Sequence, residues 1–275
     1  VTGLAPAVRR VLDWPVDHVA ASVVAADGSV LAHAGDTGRV FGLASVTKLL
    51  SAYAVLVAVE EGAVDWDDPA GPEGSTVRHL IAHTSGLAFD TDEVKAAPGE
   101  RRIYSNTGFA VLADAVAEAT GIGFADYLRQ AVCEPLGLPD TRLDGAAGAG
   151  AVSTANDLAA FAAELQAPTL LDPRTVAEAT TVAYPGLDGL LPGFGRQRPN
   201  DWGLGFEIRD GKSPHWTGTR SAPRTFGHFG QSGTFLWVDP EARAAAVVLT
   251  DRAFGPWAVE AWPAWTDAVL AELRT

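Results

Sequence analysis

The chain is predicted to be an α+β protein: an antiparallel sheet built from both chain termini, flanked by helices, with an all-helical domain inserted between. Three observations predict this. Strand-like segments sit at both ends of the chain and helix-like segments in the middle. Asp27-Gly28 joins the first two strand-like runs as a tight hairpin turn. A long apolar helix closes the chain, ready to cover a sheet. The expected division is a discontinuous sheet domain over 1–71 and 204–275, with a mainly helical insert over 72–203.

Residues 4–13 read as a short helix, 18–26 and 29–34 as strands, and 45–61 as a long helix ended by Gly62. That helix is apolar on nearly every face, which predicts burial. An acidic turn follows, with Pro69, Gly71, Pro72 and Gly74. Helices are expected at 76–83, 107–120, 124–133 and 157–166, and a Gly/Pro-rich loop at 182–203. Strands resume at 204–209, 225–229, 234–239 and 244–250, with Asp239-Pro240-Glu241-Ala242 turning between the last two. The final helix covers about 256–273.

Composition narrows the function. The 275 residues suffice for one large domain or two intimate ones. The net charge is −14, and no stretch concentrates Lys or Arg, so neither nucleic acid nor an anionic membrane is an expected partner. The oligomeric state is left open. Cys133 is the single cysteine, which rules out an intrachain disulfide and reads as core filler. No apolar run reaches spanning length. The N-terminal segment does not read as a signal peptide, so a cytoplasmic location is the expectation, with a trimmed secreted form left open.

The cations single out one site. Three of the 20 basic residues are Lys (Lys48, Lys95, Lys212) and the rest are Arg. Arg does not give up its proton at ordinary pH, so a Lys in an unusual place was needed as a Lys. Lys48 is the only charged residue between Val46 and Val59. Burial of an unpaired ammonium lowers its pKa, which lets the amine accept a proton near neutrality. Ser45 lies three residues earlier, on the same helical face. As a bare Ser it would be read as a helix cap. Beside such a Lys it is a candidate nucleophile, and the N–H groups of a helix start favour an oxyanion.

Two further segments agree. Tyr104-Ser105-Asn106 precedes the 107–120 helix. It reads either as a turn and cap with a half-buried aromatic, or as a proton shuttle (Tyr104) beside a substrate-amide contact (Asn106). His228-Phe229-Gly230 ends a strand and runs into Gln231-Ser232-Gly233. It is either plain strand and turn, or one wall of a site.

Together these segments resemble the serine β-lactamase and penicillin-binding-protein-like family, in the branch of class C β-lactamases and related esterases. The matching stretches are Ser45-Val46-Thr47-Lys48, His79 to Leu87 (HLIAHTSGL), Tyr104-Ser105-Asn106, Glu134-Pro135-Leu136-Gly137 and Gly227-His228-Phe229-Gly230, spread over about 20–255. The resemblance implies a β-lactamase-like fold and a serine hydrolase that cleaves an ester, amide or β-lactam bond through an acyl-Ser45 intermediate. Lys48 and Tyr104 would share the proton work. Asn106, His228, Gly230 and Gln231 would bind substrate, with the N–H groups of Ser45 and Gln231 as the oxyanion hole. No cofactor is implied.

There are departures: the chain is shorter than most family members, notably between Asp68 and His79, and the third motif differs. Many relatives carry Lys-Thr-Gly where this chain has His228-Phe229-Gly230. A His is only partly charged near pH 7, which weakens attraction for a substrate carboxylate. A carboxylesterase with little β-lactamase activity is therefore one alternative. A protein that is acylated by penicillin without turnover is another. His79 and His83 have a zinc-like spacing, but Leu80 stands where a metalloprotease carries Glu, so no metal is expected. Residues 230–234 only loosely echo a nucleophile elbow. Trp202 and Trp216 flank the long loop and either line a site or pack at the surface or in the core.

Overall fold

The computed structural model describes residues 3–274. Its centre is a six-stranded, wholly antiparallel sheet. The strands run in the order Val30–Gly35, Val19–Ala25, Ala244–Thr250, Thr234–Asp239, Phe226–Gly230, Glu207–Ile208. Both chain termini thus meet in one sheet, as expected. The register pairs Ser22 with Val247, Trp237 with Ala246 and Leu236 with His228. The hairpin turns at Gly28, where φ is +83°. Asp239 Oδ1 caps the other turn, accepting from the Glu241 and Ala242 N–H groups at 3.0 Å each.

The central strand Ala244–Thr250 is buried along its whole length, because both sheet faces are covered. Successive side chains alternate between faces. Ala246 and Val248 face an aromatic layer with Phe235, Trp237, Trp262 and Trp265, under the helix Pro256–Leu273 and the helix Leu4–Arg9. Ala245, Val247 and Leu249 face the larger core, which holds the helix Thr47–Glu60 and the helix Ala155–Gln166. The latter falls within the 72–203 span expected to be an insert, yet it packs on the sheet.

Other helices fall near their expected places. Asn106–Thr120 starts at Ser105, whose Oγ accepts from the Gly108 N–H at 2.8 Å, and stops at Gly121 with φ +70°. The expected 124–133 helix is α-helical only over Phe124–Leu128 and widens into a π turn over Arg129–Cys133. The expected 182–203 loop contains a two-stranded ribbon, Gly189–Leu191 against Gly195–Gln197. Periodicity misses this ribbon because each strand has only three residues. No single helix among the described residues is long and apolar enough to cross a membrane.

Candidate active site

Ser45 does not cap the long helix. It sits in a 3-10 turn, Ala44–Val46, that leads into it. Ala44, just before it, has φ +45°, a strained value for a residue with a Cβ. The strand Phe226–Gly230 runs alongside this turn. Gly230 permits that approach: a Cβ there would stand 2.3 Å from the Leu43 carbonyl oxygen. Gly230 thus earns its place by backbone proximity, whatever it offers to substrate.

The Ser45 hydroxyl has two polar neighbours. The Tyr104 hydroxyl donates to it at 2.7 Å. Lys48 Nζ lies 3.4 Å away, at the long end of a hydrogen bond. Lys48 is fully buried, as its helix is along nearly all its length. Its nitrogen also donates to Asn106 Oδ1 at 2.5 Å and to the Gly148 carbonyl at 2.8 Å. Both partners can only accept. A neutral amine spends its two N–H groups on them, which leaves its lone pair facing Ser45. Burial lowers the ammonium to about 7, with the Asp90 carboxylate opposing the shift. Burial also pushes the Tyr104 phenol well up, so it stays a proton donor.

Asn106 lines the cavity but spends both ends of its amide within the protein. Oδ1 takes Lys48, and Nδ2 donates to Asp90 Oδ1 at 2.9 Å. Its visible role is to orient Lys48. Gly148 and Asp90 are partners that sequence reasoning missed. Nothing local marks them, because they come from loops 100 and 42 residues away from Lys48.

His228 corrects an expectation. It is 4% exposed, and burial, with Lys48 nearby, pushes its pKa down to about 3. It is therefore neutral near pH 7, not partly charged. Its Nδ1 donates to the Phe229 carbonyl at 2.6 Å, so Nε2 is a bare acceptor, and no protein group reaches it. The ring packs against Tyr104 at 5.6 Å and Trp202 at 5.3 Å. His83 is buried nearby, 4.8 Å from the Tyr104 ring, and burial likewise drives it well down. Its Nδ1 accepts from the Ser105 N–H at 3.2 Å, so it supports the Tyr104 turn. His79 pairs with Thr76 and stacks on Tyr184.

Ser45, Tyr104, Asn106, His228 and Gln231 all line one cavity of about 390 Å³, together with Trp202 and Trp216. The two tryptophans are thus wall, not surface. Glu207 also lines this cavity, at the centre of an unforeseen cluster. Glu207, 2% exposed, accepts from Lys212 Nζ, from His215 Nε2 at 3.0 Å and from Trp216 Nε1 at 2.7 Å. These partners outweigh burial and hold the Glu207 carboxyl at about 2. Lys212 is one of only three lysines in a chain that prefers Arg. It anchors the wall that carries Trp216.

Comparison with known proteins agrees with this architecture. A family model described as Beta-lactamase matches residues 16–270. A solved β-lactamase from Mycobacterium bovis superposes with a TM-score of 0.96 at 61% identity, covering 98% of this chain and 100% of that one. A penicillin-binding protein of Bacillus subtilis (strain 168) is 29% identical over 140 residues, 39% of this chain and 31% of that protein. The D-alanyl-D-alanine-carboxypeptidase/endopeptidase AmpH of Escherichia coli (strain K12) is 29% identical over 136 residues, 36% of this chain and 35% of that protein. The chain matches about a third of the length of these two curated relatives. With a matched fold across almost its whole length, the chain belongs to the β-lactamase family.

Proposed function

We propose that the protein hydrolyses uncharged esters through an acyl-Ser45 intermediate. The observation that carries this reading is the His228 wall. A buried, neutral acceptor stands where a fixed cation would draw in a carboxylate.

In the proposed cycle, Ser45 Oγ attacks the ester carbonyl as its proton passes to neutral Lys48. The N–H groups of Ser45 and Gln231 receive the oxyanion. Tyr104, still protonated, gives its proton to the leaving oxygen as the C–O bond breaks. The proton held by Lys48 then restores the phenol. Water releases the acyl group as a carboxylic acid and regenerates Ser45. Asn106 Oδ1 and the Gly148 carbonyl keep Lys48 Nζ beside Ser45 throughout.

A short-chain nitrophenyl ester and a chromogenic cephalosporin, assayed side by side, test the reading. Rapid turnover of the ester alone supports it. Turnover of the cephalosporin favours the second reading, lactam hydrolysis, motivated by the 61% identical β-lactamase. Stable mass addition without turnover would select the penicillin-sensing alternative. Lys48→Arg keeps the charge but does not deprotonate, so kcat/KM should drop by roughly 10²-fold or more. Rates near wild type would remove Lys48 as the base.

A further inference from the structure

We propose that the groove beside the Ser45 cavity is a subsite for an apolar leaving-group arm, the alkyl or aryl alcohol half of an ester. The proposal rests on the reading of Ser45 as nucleophile and Tyr104 as proton donor to the leaving oxygen.

The groove is a recess of about 690 Å³, within the range of ligand pockets. It shares Phe89, Tyr104 and Pro192 with the Ser45 cavity, so the two recesses adjoin at these side chains. Ile103 and Leu190 extend the apolar lining. Phe89 is 49% exposed and Leu190 66% exposed, two large apolar side chains lining the recess. Among the rim charges, Lys95 pairs with Glu93 at 2.6 Å and Arg196 with Asp188 at 3.1 Å, while Glu100 and Arg101 form no ion pair among the described residues. The apolar lining of the recess favours an apolar arm.

Both walls are fixed by the backbone. On one side the Phe89 carbonyl accepts from the Asn106 and Thr107 N–H groups at 2.8 and 3.2 Å, and its ring stacks on Tyr104. On the other, Gly189 of the ribbon bridges Arg102 in parallel fashion, at a spacing no Cβ would allow: it would stand 2.6 Å from the Arg102 carbonyl oxygen. The buried Arg102 guanidinium donates to the carbonyls of Ala82, Ala183 and Asn200, tying the ribbon's flanks to the same place.

The choice of arm follows from proton transfer. A leaving oxygen must depart on the side of its proton donor. Tyr104 is that donor, and Tyr104 is also shared by the cavity and the groove. The departing alcohol therefore points into the groove.

Two ester series in a pH-stat assay test this, one lengthening the alcohol of an acetate ester and one lengthening the acyl part of an ethyl ester. kcat/KM should rise along the alcohol series, by roughly threefold to fourfold per buried CH₂ until the groove fills. A flat alcohol series, or a rise confined to the acyl series, would overturn the assignment. Leu190→Asp, at an exposed position, should cut the octyl-to-ethyl ratio by about tenfold, the worth of roughly two buried CH₂ groups. An unchanged ratio would count against the groove. Calorimetric titration of Ser45→Ala with 1-octanol reads the groove without chemistry. Saturable binding that Leu190→Asp weakens supports the subsite even if ester turnover is absent, and turnover without such binding overturns it.

Discussion

Lys48→Met isolates what the buried amine costs the fold. Burial holds the Lys48 ammonium at about 7, against 10.5 for the free side chain. Between those values the unfolded chain carries more protons than the folded chain, so stability rises with pH across that window. Below about pH 7 the full penalty is present; near pH 10 most of it is gone. At about 1.4 kcal/mol per pKa unit, the wild-type unfolding free energy, measured relative to Lys48→Met, should climb by on the order of 4 kcal/mol between about pH 6 and about pH 10. Taking the difference cancels groups common to both proteins, such as buried tyrosines. The variant also leaves Asn106 Oδ1 and the Gly148 carbonyl without Lys48, but that loss carries no pH dependence in this range. Urea titrations of both proteins at a series of pH values supply the measurement. A difference that stays flat, or that falls with pH, would refute the buried-amine argument. In the wild type, kcat/KM for an ester should rise as pH passes about 7, as the amine is freed.

Tyr104→Phe removes the hydroxyl that donates to Ser45 at 2.7 Å, and steady-state ester kinetics should show kcat/KM down by roughly 10²–10⁴. Glu207→Gln leaves the buried Lys212 ammonium without its carboxylate, so the urea midpoint should fall by the equivalent of about 3–5 kcal/mol, with a shift in the emission of Trp216. Retained stability would mean the cluster is not a charge pair. Gly230→Ala drives a Cβ against the Leu43 carbonyl and pushes the strand off the Ser45 turn. Its circular dichroism should stay wild-type while kcat falls on the order of 10², and unaltered kcat would show that the strand's approach does not position the nucleophile.

The sequence by itself determined the sheet and singled out Ser45 and Lys48. Asp27-Gly28, the strand-like runs at both ends and the apolar stretch after Ser45 are local signals, and local signals survive in a linear reading. An unpartnered Lys inside that stretch foretold its own burial, which is the physical cause of its low pKa. Tertiary structure decided what surrounds the pair. Gly148 and Asp90 reach Lys48 and Asn106 from loops distant in the chain. Their contribution is one carbonyl and one carboxylate, which carry no periodic signature. His228 shows the limit most clearly. From sequence it was a partly charged imidazole; its neutrality and its bare Nε2 depend on Trp202, Tyr104 and Lys48 enclosing it, and on the Phe229 carbonyl fixing its tautomer. Charge state is a property of the enclosure, and the enclosure is assembled only when both ends of the chain meet.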